Sequence, residues 1–267
     1  MTLKFAEPHE DRPLALITGG TRGIGLEMAR QYLADAWRVI VTCRNPDQAT
    51  AAQSLAGEHE GALHIAPLEL VSQDSIEGLG QLIGDMPLDL LVNNAGFVNH
   101  PKDEAFDTIT RANFLEMVTV NAFAQLEVTR RLLPNLKASD RKIVVMMSSN
   151  AGSIGSVTPQ SPRFYGYLGC RAALNGLSRL MSLDLAEQGI RVALVTPGLV
   201  DTKGILDLGP DEPAPKGFEF LAEAVRSGRV SMMRPPESVS GIRRVIENLS
   251  FENSGTFVSY DGNEVSW

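Results

Sequence analysis

The residues that most directly suggest chemistry form a glycine-rich stretch, Thr18-Gly19-Gly20-Thr21-Arg22-Gly23-Ile24-Gly25. An apolar run precedes it and an amphipathic segment, 26–34, follows it, which predicts a strand, a tight loop and a helix N-terminus. Bare glycine backbone lets a phosphate approach, and the first N–H groups of a helix point at it. The spacing G-x-x-x-G-x-G is not the common G-x-G-x-x-G dinucleotide fingerprint. A turn that needs glycine for steric reasons alone is the alternative.

Similar polar or glycine-containing clusters follow other apolar runs of the chain. They are Cys43-Arg44, Asn93–Gly96, Ser148–Gly155 and Thr196-Pro197-Gly198. If these runs are parallel strands, the clusters lie at the carboxyl ends of the strands, where open α/β sheets bind their ligands. Polar clusters that share one sheet edge are typical of a ligand site and do not follow from fold stability.

The elements that must position these clusters alternate along the chain. Apolar runs predict short strands at 14–17, 38–42, 62–66, 88–92, 142–147, 190–195 and 256–259. Helices are predicted at 26–34, 46–58, 72–83, 106–117, 119–133 and 172–187, the last from the spacing of Leu174, Leu177, Leu180, Met181 and Leu185. This alternation predicts a single α/β domain with a doubly wound parallel sheet of about seven strands and helices on both faces.

Residues 201–236 interrupt the alternation. The segment carries five prolines and several glycines. A long irregular insert of this kind is more often a lid or binding loop than an inert excursion, so we predict a substrate lid here. A merely mobile surface segment is the alternative.

Composition and charge restrict the partners. A net charge of −8 argues against nucleic acid or an anionic membrane as the main partner. The four histidines are not spaced as metal ligands, so no metal site is predicted. Cys43 and Cys170 make no disulfide framework, which fits a reducing compartment, and the polar amino terminus is unlike a signal peptide. No apolar run approaches the roughly 20 residues of a membrane span, so we expect a cytoplasmic protein.

Several of these segments together carry a resemblance to a known family. They are T-G-G-T-R-G-I-G at 18–25, N-N-A-G at 93–96, Asn121 in V-N-A-F, S-S-N-A-G at 148–152, Tyr167 and Pro197-Gly198. In this combination the chain resembles the short-chain dehydrogenase/reductase family over nearly its whole length, which implies a Rossmann-type sheet and an oxidoreductase. A narrower similarity to C-factor and sniffer-like carbonyl reductases rests on R-V-I-V-T-C-R-N-P at 38–46, G-S-I-G at 152–155, R-A-A-L-N at 171–175 and Y-D-G-N-E-V-S-W at 260–267.

The resemblance implies a nicotinamide cofactor along the sheet edge. It assigns to cofactor binding Gly19, Thr21, Arg22, Gly23, Ile24, Gly25, Arg44, Glu69, Leu70, Asn94, Ala95, Gly96, Tyr167, Arg171, Pro197, Gly198, Val200 and Thr202. Glu69 stands where the family has the aspartate that contacts adenine. Thr202 matches the family threonine near the nicotinamide carboxamide or phosphate.

The end of the second strand favours NADP(H) over NAD(H). An NAD-specific site usually places an acid there, against the ribose 2′-OH. This chain has Cys43 and Arg44 instead, and its first acid after the strand is Asp47. Arg44 and Arg22 suit a 2′-phosphate because guanidinium groups form forked, charged hydrogen bonds with phosphate oxygens. Two solvated surface arginines are the alternative.

The catalytic assignments also come from the resemblance. It implies that Ser149 polarises a substrate carbonyl, that Tyr167 exchanges the proton as acid or base, and that Asn121 holds a water or a backbone kink in the proton path. A tyrosine hydroxyl ordinarily has a pKa of about 10, so a residue in this role needs a neighbouring cation near neutral pH.

The cation departs from the family pattern, which is Tyr-x-x-x-Lys. This chain reads Tyr167-Leu168-Gly169-Cys170-Arg171. Residues four apart share one helix face, so Arg171 can lie beside Tyr167. Arginine keeps the charge and can fork onto both ribose hydroxyls, but it does not release a proton. Arg171 is therefore assigned to the catalytic set for electrostatics and ribose binding, and not for proton transfer.

Two functions are compatible with this set. One is an NADPH-dependent carbonyl reductase, with reversible alcohol dehydrogenase chemistry by hydride transfer. The other is a non-catalytic NADP(H)-binding sensor or scaffold that lost the catalytic lysine. The joint presence of Asn121, Ser149 and Tyr167 favours the enzyme.

The substrate and the assembly are predicted less directly. Phe97, Ile154 and Leu199 are apolar and follow the site motifs, which predicts a pocket for a small hydrophobic ketone, aldehyde or diketone. Ordinary core packing is the alternative for these residues. The resemblance also implies a homodimer or homotetramer through the helices near 119–134 and 171–187.

Overall fold

The computed structural model describes residues 2–5, 9–209 and 212–267. They contain a seven-stranded, fully parallel sheet with the order β3-β2-β1-β4-β5-β6-β7. The strands are β1 (Leu14–Thr18), β2 (Arg38–Cys43), β3 (Leu63–Pro67), β4 (Leu90–Asn93), β5 (Ile143–Met147), β6 (Arg191–Thr196) and β7 (Phe257–Ser259). The predicted doubly wound parallel sheet is confirmed.

Helices cover both faces of this sheet. In the described residues they are α1 (Gly23–Ala34), α2 (Thr50–Glu58), α3 (Gln73–Ile83), α4 (Arg111–Val118), α5 (Ala124–Arg131), α6 (Leu133–Ala138), α7 (Tyr165–Ala186), α8 (Glu219–Arg226) and α9 (Pro235–Glu247). None of them combines the length and the apolar character that a bilayer crossing requires.

Alternate residues of each strand feed two separate apolar layers. Leu14 and Leu16 of β1 pack in the layer that contains α3, α5, α6 and α7, whereas Ala15 and Ile17 pack in the layer with α1, α2 and α9. All of β1 is buried. Burial on both faces explains why the strands appear in the sequence as continuous apolar runs.

The strand order reverses between β1 and β4. β1 pairs with β2 on one side and with β4 on the other. The loops that leave β1 and β4 therefore run to opposite faces of the sheet and open a crevice at its carboxyl edge. The glycine-rich loop after β1 and the N-N-A-G segment after β4 lie at this point.

The predicted helix at 172–187 begins seven residues too late. The helix that carries Tyr167 and Arg171, α7, starts at Tyr165. Its first turn contains Gly166 and has no side-chain hydrogen bond from its N-cap residue, Phe164, so neither a periodicity nor a capping residue marks the start. Leu180, one of the apolar residues whose spacing predicted this helix, is 64% exposed.

The region between β4 and β5 also differs from its prediction. Residues 106–110 are not helical, and α4 begins after Thr110, whose hydroxyl accepts from the N–H of Asn113 at 3.2 Å. The predicted helix at 119–133 is broken into a π-helical turn at Thr119–Phe123 and α5. A further helix, α6, contains Pro134, because proline is tolerated in a first turn.

Besides α6, two more helices were not predicted, and one predicted helix is shorter. α8 lies inside the segment 201–236, and α9 begins at the end of that segment with Pro235 and Pro236 in its first turn. The predicted helix at 46–58 consists of a 3₁₀ turn, Pro46–Gln48, followed by α2. Prolines and glycines are frequent between the sixth and seventh strands, so the apolar spacing there did not indicate α8 or α9.

A glycine substitution tests the tight crevice. A Cβ at Gly25 would lie 2.6 Å from the Gly19 carbonyl oxygen and 2.7 Å from Asn94 Nδ2, so we expect Gly25→Ala to cost about 1–3 kcal/mol of unfolding free energy. Gly78 in α3 is the matched control. It is exposed, and a Cβ there would meet no atom within 4 Å, so Gly78→Ala should add about 0.5–1 kcal/mol. Urea denaturation measures both, and equal stability of the two variants would contradict this packing.

Candidate active site and cofactor cleft

A cavity of about 750 Å³ lies along the carboxyl edge of the sheet beside β1, β2 and β4. Its volume is in the range of cofactor and ligand sites. Most of the residues predicted to bind a cofactor line it: Gly19, Thr21, Arg22, Gly23, Ile24, Gly25, Arg44, Glu69, Leu70, Asn94, Ala95, Gly96 and Thr202. Segments far apart in the sequence thus come together at one edge.

Some predicted cofactor residues are outside this lining. They are Tyr167, Arg171, Pro197, Gly198 and Val200. The Pro197 carbonyl oxygen accepts from the Ser238 hydroxyl at 2.7 Å, and Val200 pairs with Met233 in an isolated parallel bridge. The segment after β6 is therefore held against α9 and the residues that precede it, and its role toward a cofactor stays a prediction.

The cavity also has walls that the sequence did not indicate. These additional residues are Thr42, Asn45, Gln48, Leu68, Val71, Glu116 and Val120. Glu116 and Val120 are four residues apart around the end of α4, a spacing that places them on one face. The spacing was visible in the sequence, but which face meets the cavity depends on tertiary packing.

Thr18 and Asn94 lock the two sides of the crevice together. The Thr18 hydroxyl accepts from the backbone N–H groups of Asn94 and Ala95, both at 3.0 Å. The Asn94 side-chain amide donates to the carbonyl oxygens of Thr18 at 2.9 Å and Gly19 at 3.2 Å. The glycine-rich loop and the N-N-A-G segment therefore form one rigid floor.

The floor offers donors and positive charge to an anion. Arg22, which precedes α1, makes no side-chain cap, so the first turn of the helix keeps free N–H groups, as in phosphate sites. Arg22 and Arg44 are exposed at the cavity and form no ion pair with a described residue. Glu69 and Glu116 are the acids of the lining.

Asn121 is buried in the π-helical turn and grips the backbone of Phe97. Its Oδ1 accepts from the Phe97 N–H at 2.8 Å, and its Nδ2 donates to the Phe97 carbonyl oxygen at 2.9 Å. Gln125 Nε2 donates to the Asn121 and Ala95 carbonyl oxygens, each at 3.1 Å. The segment after β4 is thereby fixed to the kinked helix.

The loop that carries Ser149 is clamped to α7 by Asn175. Asn175 Oδ1 accepts from the Ser148 hydroxyl at 2.5 Å, and its Nδ2 donates to the Gly152 carbonyl oxygen at 3.1 Å. Ser149 is half-buried, and its hydroxyl accepts from the Ala151 N–H at 3.2 Å. Both ends of this short loop are therefore positioned by one side chain of the helix that bears Tyr167.

Arg171 lies beside two other predicted catalytic residues, Tyr167 and Asn121. Its guanidinium carbon is 5.1 Å from the centre of the Tyr167 ring, and its Nη1 donates to the Met147 carbonyl oxygen at 2.9 Å. A Cβ at Gly96 would lie 2.6 Å from Asn121 Oδ1 and 2.8 Å from Arg171 Nη2. Arg171 is only 6% exposed, so its charge is held inside the site.

Some apolar side chains near the carboxyl edge of the sheet are exposed and do not belong to the core. Ile154 is 66% exposed and Leu199 is 40% exposed, while Phe97 is half-buried and lines the cavity. Their exposure argues against the core-packing alternative for Ile154 and Leu199. Phe220 in α8 is also exposed, and Phe218 lies 5.5 Å from the Lys203 ammonium.

The base of the segment 201–236 is firmly held. The Asp201 carboxylate accepts from the N–H groups of Lys203, Ile205 and Leu206 at 3.1, 2.9 and 2.8 Å. Burial alone raises the pKa of Asp201, but the backbone hydrogen bonds outweigh it and leave the pKa below its ordinary value. Thr202 packs against Gly23, so the segment begins directly over the glycine-rich loop.

Comparisons with known proteins extend over nearly the whole chain. The sequence model of a family described as short chain dehydrogenase matches residues 13–212. An uncharacterized oxidoreductase of Schizosaccharomyces pombe is 30% identical over 256 residues, which cover 92% of this chain and 94% of the relative. A crystal structure of an NADPH-bound carbonyl reductase from chicken fatty liver is 31% identical with a TM-score of 0.80, covering 96% of this chain and 100% of that one. The carbonyl reductase Sniffer of D. melanogaster is 27% identical with a TM-score of 0.78 over the same shares.

The two cysteines should differ sharply in reactivity. Cys43 is half-buried in the cavity lining, where burial raises the pKa of its thiol, while fully buried Cys170 has a pKa raised by burial to about 11. We expect a small thiol reagent at about pH 8.5 to modify Cys43 slowly and Cys170 only after unfolding. Cys43→Ser should abolish the native-state reaction, and equal native rates for both thiols would contradict the burial of Cys170.

Proposed function

The chain belongs to the short-chain dehydrogenase family of oxidoreductases, and on this premise we propose that it reduces a small hydrophobic ketone, diketone or aldehyde with NADPH. The same residues can run the reverse alcohol oxidation. The observation that carries the proposal is the packing of Arg171, whose guanidinium contacts the Tyr167 ring and lies beside Gly96 and Asn121. A positive charge is thus held where a carbonyl reductase needs it.

The choice of NADPH rests on the charge at the end of β2. Arg44 follows Cys43 there, and Arg22 stands in the neighbouring glycine-rich loop. Both guanidinium groups are free of ion pairs with the described residues, so both can fork onto a 2′-phosphate. The NADPH bound to the chicken carbonyl reductase supports this choice by analogy.

The chemistry divides between the cofactor and three side chains. When bound, NADPH would supply a hydride for the carbonyl carbon. The Ser149 hydroxyl donates a hydrogen bond to the carbonyl oxygen and polarises it, and the Tyr167 hydroxyl donates the proton that turns this oxygen into the alcohol. Asn121 keeps the Phe97 backbone, and with it the segment after β4, in place beneath these groups.

Arg171 replaces the family lysine as a fixed charge. Its bond to the Met147 carbonyl oxygen and its burial restrict it to one place beside Tyr167. A guanidinium remains protonated at every working pH, so it stabilises the tyrosinate that forms when Tyr167 gives up its proton. The proton that restores Tyr167 therefore comes from solvent or another group and not from residue 171.

Apolar side chains at the carboxyl edge of the sheet support the proposal of a hydrophobic substrate. Phe97, Ile154 and Leu199 come from the loops after β4, β5 and β6, which are adjacent strands. Loops after adjacent parallel strands meet at the same edge, so these side chains border one opening. The segment 201–236, with exposed Phe220 in α8, is proposed as the lid of that opening.

The assembly is proposed as a homodimer or homotetramer through α7 and through the π-helical turn with α5. Phe123 of the π-helical turn and Leu180 and Leu183 of α7 are large apolar side chains at the surface, as is Leu115 in neighbouring α4. Exposed apolar patches of this kind are typical of subunit contacts.

Cys43 and Cys170 are unpaired thiols, which favours a reducing compartment such as the cytoplasm.

The replacement of lysine by Arg171 favours one second candidate. If catalysis no longer matters to this chain, the same cleft serves a non-catalytic NADP(H)-binding sensor or scaffold. Such a protein binds NADPH tightly and turns over no carbonyl compound. The two candidates therefore differ in a single measurable property.

NADPH absorbance decay with a panel of ketones, diketones and aldehydes tests the proposed activity. We expect turnover on apolar members of the panel, and Tyr167→Phe should lower kcat by about 10²–10⁴-fold because the proton donor is lost. NADPH affinity, measured by fluorescence titration, should change little. Tight NADPH binding without turnover on any compound would support the sensor, and full activity of Tyr167→Phe would show that another group is the acid.

Arg44→Ala tests the 2′-phosphate contact. Loss of one charged, forked contact should weaken NADPH binding by about 10- to 100-fold and leave NADH binding nearly unchanged. Arg130→Ala, which removes an exposed arginine of α5 outside the cavity lining, is the matched control and should alter neither. Equal weakening of the two cofactors by Arg44→Ala would contradict the proposed preference.

A further inference from the structure

A fully buried carboxylate, Glu104, lies behind the first turn of α7. The side chain is 0% exposed, although Asp103 before it and Phe106 two residues after it are at the surface. The segment that carries it, 97–110, has no α-helix or strand. Burying a carboxylate is costly unless it is paired or hydrogen-bonded, and among the described residues only its Oε2 has a hydrogen-bond partner, whereas Oε1 has none.

Glu104 supplies acceptors to two N–H groups at the start of α7. Its Oε2 accepts from the Tyr167 N–H at 2.9 Å, and its backbone carbonyl oxygen accepts from the Tyr165 N–H at 3.0 Å. The first N–H groups of a helix have no partner within the helix, and Phe164, the N-cap residue, provides none through its side chain. One residue from a distant loop therefore acts as the helix cap.

The seat of this carboxylate is shaped by a glycine. A Cβ at Gly166 would lie 2.9 Å from Glu104 Oε2, 3.2 Å from Oε1 and 2.8 Å from the Met117 sulfur. Any larger residue at Gly166 would displace either the carboxylate or α4. The carboxyl oxygen that accepts from the Tyr167 N–H also lies at the N-terminal end of α7, where the helix dipole favours an acceptor.

The loop that holds Glu104 is anchored at its other end by Asn121. Phe97 makes two hydrogen bonds with the Asn121 side chain, and Glu104 makes two with the start of α7. The segment 97–110 therefore spans the gap between the helix of Asn121 and the helix of Tyr167. We therefore expect a shift at Glu104 to move the first turn of α7, and Tyr167 with it.

We propose that Glu104 is a positioning residue for carbonyl reduction, which sets the place of Tyr167 by holding the first turn of α7. This inference rests on the proposed carbonyl reductase function. Glu104 touches neither substrate nor cofactor in this role, so it acts on the rate through Tyr167. Geometry errors of about 1 Å at a reacting group can cost about 100-fold in rate.

Three variants test the role. Glu104→Ala removes the side-chain acceptor, and we expect kcat to fall by about 10- to 100-fold while KM and Kd for NADPH change by less than about twofold. Glu104→Gln keeps an acceptor oxygen for the Tyr167 N–H, so it should recover kcat to within about threefold of the wild type. Asp103→Asn removes an exposed carboxylate from the same loop and should have no effect.

Hydrogen exchange on the native protein supplies a readout that does not depend on turnover. In Glu104→Ala the amides of Tyr165–Tyr167 should exchange faster, while those of β5 and the rest of α7 keep their protection. This pattern separates a local loss of the cap from general unfolding. It is measured on the full chain with and without NADPH.

The outcomes distinguish this inference from the proposed function. Wild-type kcat in Glu104→Ala, or equal losses in Glu104→Gln and Glu104→Ala, would overturn the positioning role. A parallel fall in kcat and NADPH affinity with faster exchange across the whole chain would overturn it as well, since it indicates a purely structural residue. If the wild type turns over no carbonyl compound, the proposed function fails, and unchanged exchange at Tyr167 then shows separately that the contact itself is absent.

Discussion

The crevice depends on the reciprocal bonds between Thr18 and Asn94. At the point where β1 and β4 diverge, the strands stop pairing, and backbone groups of both loops lose their sheet partners. The Thr18 hydroxyl accepts hydrogen bonds from two of these N–H groups, and the Asn94 side-chain amide donates hydrogen bonds to two of the carbonyl oxygens. Because an unpaired polar group in such a place is costly, neither side chain can be exchanged alone without opening the floor. The glycine-rich loop owes its shape to this junction as much as to its glycines.

A second constraint runs along one stripe of α7. Tyr167, Arg171 and Asn175 are spaced by four residues and so share one face of the helix. Arg171 binds the end of β5 through the Met147 carbonyl oxygen, and Asn175 binds both ends of the following loop. The helix therefore positions the serine loop and the tyrosine together, as one rigid piece. The placement of Ser149 relative to Tyr167 therefore depends on the hydrogen bonds that join this loop to α7.

The parts of the fold that could be predicted are those in which a local pattern decides the structure. Continuous apolar runs mark strands buried on both faces, so the sheet was predicted correctly. The polar clusters that follow these runs bring most of the residues predicted to bind a cofactor to one cavity, and their roles stay predictions. The start of α7 was missed because its cap is not local in sequence, since Glu104 lies about sixty residues before it. Nothing in the run Asp103-Glu104 distinguishes the exposed acid from the buried one.

Other misses have the same origin. Prolines normally argue against a helix, but Pro235 and Pro236 occupy the first turn of α9, where the missing N–H groups cost nothing. The extent of α9 then depends on its packing against α1 and the sheet, through residues such as Val239 and Ile242. The placement of Arg171 beside Tyr167 could be predicted from helical spacing, whereas its hydrogen bond to the Met147 carbonyl oxygen required the fold.

The π-helical turn at Thr119–Phe123 has a consequence for how such a site can arise. A π turn differs from an α-helix by one inserted residue, and α4 and α5 on either side of it are regular. In an α-helix each residue adds about 100° of rotation. The extra residue therefore rotates α5 relative to α4, so that the cleft-facing side of α4 and the core-facing side of α5 point in different directions. Buried Asn121 lies inside the turn, and its side-chain amide forms a hydrogen bond with the Phe97 backbone. Deleting one residue from this turn would therefore rotate α5 relative to α4 and withdraw the Asn121 amide from the Phe97 backbone.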